Sequence, residues 1–515
     1  MMIRRINELP DDLIVKIFST VPPFKESVAT RLLSKWCEDP WKLGPDVTVE
    51  DDDEKRSMSF LSLFSNDAPT LETMRLKLIR KHSVSAINFW VQTAVDRSVR
   101  KLRFDLLGGT LELPCCLSNC TTLKSLILRD VTIKVVPYDF HLPSLKSLHL
   151  FSVEFLNRHS VASLLQNSPG LEYLVLNQTV YDGWNRGGSS PRWLHLSSLK
   201  SMHLCSVIFP AHNSITYLLQ SCPVLESLVI NQNKTDYVMF ETIPPGSCLS
   251  SLKSLHLLSV NFVSDEHVTT LLKNCASLED LVIRRTKDDN VRLFNIDVPT
   301  LKSLSINNGK GKRSHDHGFV IEAPALEKLN FKDTFSNFLK FGYMPEVTTA
   351  NIEISYDQPE KFTGSFTYIR HLSLCCPASE TPYPRGTLFF FLEHLELCTC
   401  SARWANLLVS ILSDDPSLQS IKLESKCSAG YKRPMELWIE PTAVPECLLK
   451  HLEILEWREY EGTEQERKVA AYILANATCL KMATFSTRCR DKYTELQKMS
   501  RVSDVCQLVF EEALM

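Results

Sequence analysis

The chain has 515 residues, 44% of them hydrophobic and 23% charged, with a formal net charge of −3. That balance excludes a global basic field for nucleic acid or anionic membrane, and no run of about 18 apolar residues is present for a membrane span. The 17 cysteines are an odd number without a compact framework, so free thiols in a reducing compartment, cytoplasmic or nuclear, are expected.

The opening Met-Met-Ile-Arg-Arg meets Asn7, Glu8, Asp11 and Asp12 at once, with no apolar core of a secretory signal. Sequons at Asn119, Asn177, Asn233 and Asn476 are therefore expected to stay unglycosylated. Pro10 suits the first position of a helix, and Asp11 and Asp12 its positive end. Leu13, Ile14, Ile17 and Phe18 give that helix one apolar face, and Pro22-Pro23 ends it. Val28, Ala29, Leu32, Leu33 and Trp36 give a second helical face. Some forty residues cannot bury a core alone, so periodicity leaves two readings: a partner-docking surface, or a cap on whatever follows. Glu50–Glu54 is a short acidic run without the spaced ligands or turn glycine of a calcium loop, which reads as a solvated linker.

From residue 70 one phrase recurs, L-x-x-L-x-L. It starts at Leu71, Val99, Leu123, Leu145, Leu171, Leu199, Leu225, Leu252, Leu278, Leu301, Leu326, Ile369, Leu392 and Leu418, with weaker copies at Val347, Leu452 and Leu480. The spacing of about 26 residues falls in the leucine-rich-repeat range of ~20–29. The last two apolar positions alternate with polar ones, so they share one face of a short strand. One such unit cannot bury its apolar face, whereas stacked units share a continuous core. The expected fold is an α/β solenoid, a curved parallel sheet of rungs. The true period is two rungs, about 53 residues, because only alternate returns carry helical spacing, as in Val161, Leu164 and Leu165 or Val268, Leu271 and Leu272. Helices are expected behind alternate strands, on the convex side. Ile87, Trp90, Val91, Ala94 and Val95 predict one more, between the first two rungs.

Two stripes stand out on the strand face. The second position alternates Lys146, Glu172, Lys200, Glu226, Lys253, Glu279, Lys302, Glu327, opposite charges on strands about 4.8 Å apart. Exposed pairs add little stability, so the ladder reads as a register device. The fifth position alternates His149, Val175, His203, Val229, His256, Val282. Histidines on alternate strands would stand about 9–10 Å apart, too far for zinc–nitrogen bonds near 2.1 Å. They read as target-contact or solvated residues, with Phe151 and Cys205 as neighbours, and no metal or cofactor is expected. The insertions Tyr181–Pro191 and Asn307–His317 read as solvated loops; the second is basic, but its glycines and lysines lack phosphate-loop spacing. Near the C-terminus, Glu464 to Asn476 predicts a helix carrying Val469, Ala470, Ile473 and Leu474, ahead of a last rung and terminal cap. No hydrolase, zincin or dinucleotide fingerprint occurs, and Cys115/Cys116, Cys375/Cys376 and Cys398/Cys400 lack zinc-pair spacing. No enzyme is expected.

Residues 4–18, Arg-Arg-Ile-Asn-Glu-Leu-Pro-Asp-Asp-Leu-Ile-Val-Lys-Ile-Phe, resemble the opening of an F-box, and Ser27–Lys35 resembles its second helix. Residues 58–98 resemble the same plant family, F-box proteins with leucine-rich repeats, and the stretch from about Pro441 resembles its FBD segment. The resemblance implies a small all-α F-box at 1–46, an acidic linker and lead-in helix at 47–69, the solenoid at 70–440 and an FBD-like cap at 441–515. It implies a substrate-recognition subunit of an SCF-type ubiquitin ligase. Its Skp-type adaptor, and through it a cullin, would meet Leu9, Pro10, Leu13, Ile17, Val28, Leu32 and Leu33. A target protein would lie on the repeat face, over His149, Phe151, His203, Cys205 and His256. The family pattern departs at Ser34–Trp41, where Trp36, Cys37 and Glu38 replace usual residues and Pro40 ends the third helix early. That leaves an alternative, an adaptor-independent repeat scaffold with a degenerate F-box.

Overall fold

The computed structural model describes residues 46–50, 70–79, 82–137, 140–157, 160–179, 194–208, 214–232, 249–262, 264–286, 289–308, 317–333, 338–354, 368–376, 391–425, 437–488 and 491–512, with Ser336, Phe366 and Phe389. Two compact units divide the chain, residues 1–252 and 253–515.

The first unit holds β1 (Asp46–Glu50), β2 (Thr73–Lys77), β3 (Lys101–Leu111) and β4 (Ser125–Ile133). It continues with β5 (Ser147–Phe155), β6 (Tyr173–Asn177), β7 (Ser201–Cys205) and β8 (Ser227–Asn231). Each strand pairs in parallel with the next in sequence. The register aligns the leucine phrases: Leu102, Leu126, Leu148, Leu174, Met202 and Leu228 are successive partners, all fully buried. From β3 to β8 each rung is clamped by its predecessor: Glu172 N and Tyr173 N, for example, both donate to Lys146 O, and Lys200 N and Ser201 N to Glu172 O. Helices α1 (Val84–Asp96), α2 (Ser160–Gln166) and α3 (Ser214–Gln220) follow β2, β5 and β7. Ser83 caps α1, its Oγ accepting from Ala86 N at 3.2 Å.

The array begins earlier than the leucine phrases predict. Asp46-Val-Thr-Val-Glu, divided between the end of the F-box bounds (1–46) and the start of the acidic linker (47–69), forms β1 and pairs in register with β2. Its period of two buries Val49; the acidic run masked a strand.

The second unit holds β9 (Ser254–Leu258), β10 (Asp280–Arg284), β11 (Leu293–Asp297), β12 (Ser303–Asn308), β13 (Gly318–Glu322), β14 (Lys328–Asp333) and β15 (Phe338–Phe341). Then come β16 (Thr349–Ile354), β17 (His371–Cys375), β18 (His394–Cys398), β19 (Ser420–Glu424), β20 (Ile454–Trp457), β21 (Met482–Thr487) and β22 (Gln507–Glu512). The rungs pair in parallel as β9, β10, β12, β14, β16 and onward in order to β22. Helices α4 (Asp265–Lys273), α5 (Trp404–Asp414), α6 (Glu446–Lys450), α7 (Glu464–Asn476) and α8 (Asp491–Gln497) complete it. α7 has the predicted bounds, with a capping box between Thr463 and Glu466.

Among the described residues, helices follow alternate strands from β5 to β10. Between β10 and β16 the returns are β11, β13 and β15, which form their own three-stranded parallel sheet. Leu-Phe-Asn-Ile-Asp and Phe-Leu-Lys-Phe alternate with period two rather than 3.6. The core between the sheets is a relay of phenylalanine rings, Phe262, Phe294, Phe319, Phe331, Phe341 and Phe366, with successive centroids 5.3 to 6.3 Å apart. At the C-terminus β22 adds a rung beyond the one predicted at Leu480.

Candidate functional site

The leucines point into each coil, so the alternate side chains form an open strand face. In the first unit, one stripe of register partners reads Arg75, Arg103, Ile127, His149, Val175, His203, Val229. The stripe beside it reads Lys77, Asp105, Arg129, Phe151, Asn177, Cys205, Asn231.

The first half of this face is basic. The Asp105 carboxylate, 9% exposed, receives Arg75 at 2.7 Å and Arg103 at 3.0 Å, while Arg129 stands 3.7 Å away. The three guanidinium side chains remain 30 to 42% exposed. The second half is aromatic. The Arg129 guanidinium lies over the Phe151 ring at 4.6 Å, Phe151 stacks on His149 at 6.0 Å, and Tyr173 fills the space between His149 and His203 at 5.3 and 5.2 Å. The Tyr173 hydroxyl reaches His203 Nδ1 at 3.3 Å, and Ser147 Oγ reaches His149 Nε2 at 2.7 Å. Val175, flanked in register by both histidines, is buried despite lying on the open face. Burial, then the neighbouring His203, pushes the His149 pKa down, so its ring is neutral at physiological pH. Burial raises the Tyr173 and Cys205 groups. This half is therefore an aromatic surface, with the Lys146–Glu172 ion pair beside it.

In the second unit, His256 Nε2 contacts Asp280 Oδ2 at 2.8 Å, and Ser254 Oγ donates to the same oxygen at 3.0 Å. Farther along, Ser305, Asn330 and Asn351 make a side-chain ladder of 3.2 Å bonds, and Lys422 bridges Glu396 and Glu424 at 2.7 and 3.1 Å.

Of the residues singled out from sequence, His149, Phe151 and His203 meet in one cluster through Tyr173, with Cys205 two residues beyond His203 on β7. His256 belongs to the second unit and is engaged by Asp280. Tyr173, Arg75, Arg103, Asp105 and Arg129 were missed. Their signal lay in the same alternation, on the rung between the two histidines for Tyr173 and one to three rungs before His149 for the others, but their types differ from rung to rung. The charge ladder forms contacts at Lys146–Glu172 (2.7 Å) and Lys302–Glu279 (3.0 Å). Leu9, Pro10, Leu13, Ile17, Val28, Leu32 and Leu33 lie outside the described residues, as do Tyr181–Pro191 and most of the basic loop. Among the described residues every cysteine is a free thiol. Burial holds Cys275, Cys376 and Cys447 up at about 12, protonated and poorly nucleophilic. No helix among the described residues is long and apolar enough to cross a membrane.

Rungs of this period and register define a leucine-rich-repeat protein. The Leucine Rich Repeat family model matches residues 198–223 and 251–275, and a repeat model described as "FBD-associated F-box protein At5g56370, LRR repeats" matches 87–186. The FBD model matches 440–485. The chain is 46% identical to the FBD-associated F-box protein At5g56560 of Arabidopsis thaliana, over 98% of this chain and 99% of that one. It is 39% identical to the F-box/FBD/LRR-repeat protein At5g56570 of the same plant, over 98% and 92%, and 30% identical to At5g56420 over 98% and 99%. The chain belongs to the plant F-box/FBD/LRR-repeat family. Among solved structures, the plant peptide hormone receptor RGFR1 in complex with RGF2 aligns over 87% of both chains at 14% identity and a TM-score of 0.32, a likeness too weak to bear on function.

Proposed function

We propose that this protein is the substrate-recognition subunit of an SCF-type ubiquitin ligase. Residues 1–46 would hold a Skp-type adaptor, and through it a cullin, while the repeat face holds a target protein. The observation that carries this reading is the 46% identity with an F-box relative over 98% of the chain, a span that includes the F-box-like opening. The mechanism is proximity. A tethered target gains effective concentration beside a charged conjugating enzyme, and no residue of this chain makes or breaks a covalent bond. The free thiols fit work in the cytoplasm or nucleus.

The test is co-purification of the full chain with its adaptor, against a variant lacking residues 4–45. Loss of the adaptor with the repeat array still folded is the expected result; retention would refute adaptor docking. The second reading, a scaffold that works without the adaptor, is favoured by Pro40 and the altered Trp36–Glu38 stretch. It gains if the full chain purifies alone.

A further inference from the structure

We propose that the strand face of the first unit grips an extended acidic segment of the target protein, one that ends in an aromatic or branched aliphatic side chain. Its carboxylates would lie over Arg75, Arg103 and Arg129, and its apolar residue over the Phe151–Tyr173 surface. The proposal rests on the reading that the repeat face receives the target, and it names that target's chemistry.

Three cations share the one carboxylate of Asp105, so the cluster keeps an excess of positive charge on half-exposed side chains. Asp105 also holds the arginines in place before any ligand arrives, which lowers the ordering cost of binding. Guanidinium forks suit carboxylates in particular. The adjoining half is packed from four rings and has no such excess of cations. Arg129, stacked on Phe151, joins the halves. From β2 to β7 the face spans five strand spacings, about 24 Å, the length of roughly seven extended residues. A continuous phosphate backbone fits less well, because Glu172 flanks Tyr173 at the aromatic end and is already turned to Lys146. An anion at one end only is what this face complements.

The test uses the full chain purified with its adaptor and three labelled probes read by fluorescence anisotropy. These are a peptide of four acidic residues, a glycine and a tryptophan, its lysine counterpart, and an oligothymidylate. The acidic peptide should bind, with affinity falling as salt rises. Arg75→Gln with Arg103→Gln should weaken it about tenfold, and Phe151→Ala should weaken it independently. Arg103→Glu with Arg129→Glu should shift preference to the lysine peptide, which also shows that the variant is folded. Equal binding of both peptides, no loss in the arginine variants, or tighter binding of the oligothymidylate would overturn the proposal. So would acidic-peptide binding that appears only after Asp51–Glu54 are changed to their amides, since the arginines would then serve the chain's own acidic run. Adaptor pulldown separates the two ideas. Its loss condemns the ligase reading and leaves the peptide result standing; lost peptide discrimination with pulldown intact condemns only the surface.

Discussion

Arg285 Nε donates to Asp289 Oδ2 at 3.0 Å with both side chains almost fully buried, 3% and 1% exposed. The guanidinium lies over the Phe294 ring at 4.5 Å and donates to Val291 O. Asp289 also accepts from the backbone N–H groups of Phe262 (3.3 Å) and Val291 (3.2 Å). The pair pins the chain where β10 hands over to the second sheet.

Breaking that pair from one side strands a charge. Asp289→Ala should cost about 3–5 kcal/mol, read as faster hydrogen exchange at the Phe262 and Val291 amides. The double change Arg285→Met with Asp289→Ala should cost less than the single one, because no buried ion is left. A double mutant as unstable as the sum of the singles would contradict this.

Asp415 sits just after α5, fully buried, with Oδ1 accepting from Ser417 N at 3.3 Å and no partner for Oδ2 among the described residues. In other rungs this place is taken by donors: Ser168, Cys222 and Cys275 each bond the carbonyl four residues back. Burial, with Asp414 adding to it, pushes the Asp415 carboxyl up from 3.8 to about 7. Because the folded value lies above the unfolded one, the protonated group's stabilisation is complete below pH 3.8 and is lost as pH climbs to about 7. Asp415→Asn should flatten the melting temperature across that window and raise it at pH 8. An unchanged slope between pH 4 and 7 would rule the carboxyl out.

Asp130, Ser152, Gln178, Ser206 and Ser259 have φ between 49° and 61°, each five residues after the first residue of its strand, within β4 and β5 and just past the ends of β6, β7 and β9. The turn aims the amide at the next rung, as where Ser206 N donates to Asn231 O at 2.7 Å. A branched side chain tolerates this region poorly. Ser206→Val should therefore be less stable than Ser206→Gly by about 1–2 kcal/mol. Equal denaturation midpoints would show that the turn relaxes instead.

Leu174 and Glu172 stand two residues apart and should behave oppositely. Leu174 is fully buried between Leu148 and Met202, so Leu174→Ala should cost about 2–5 kcal/mol. Glu172, exposed between Lys146 and Lys200, should lose almost nothing as Ala. Its reversal to Lys, which lines up three cations, should lower the melting point detectably at low salt and not at 1 M.

The amino-acid sequence alone determined the rungs, their phase and their buried rows. Leu145, Leu148 and Leu150 announce a strand and its inner face within six residues, because alternation is a local property of the backbone. The helix Glu464–Asn476 was legible for the same reason. The strand at Asp46–Glu50 and the sheet of β11, β13 and β15 were overlooked where charge and short length hid a period of two. Only the tertiary structure decided who stands beside whom. Arg75, Arg103, Asp105 and Arg129 meet across three strands, and Tyr173 slips between His149 and His203. Such neighbours depend on lateral register, which is set by how each loop returns to the sheet, and no periodicity within a single strand records that.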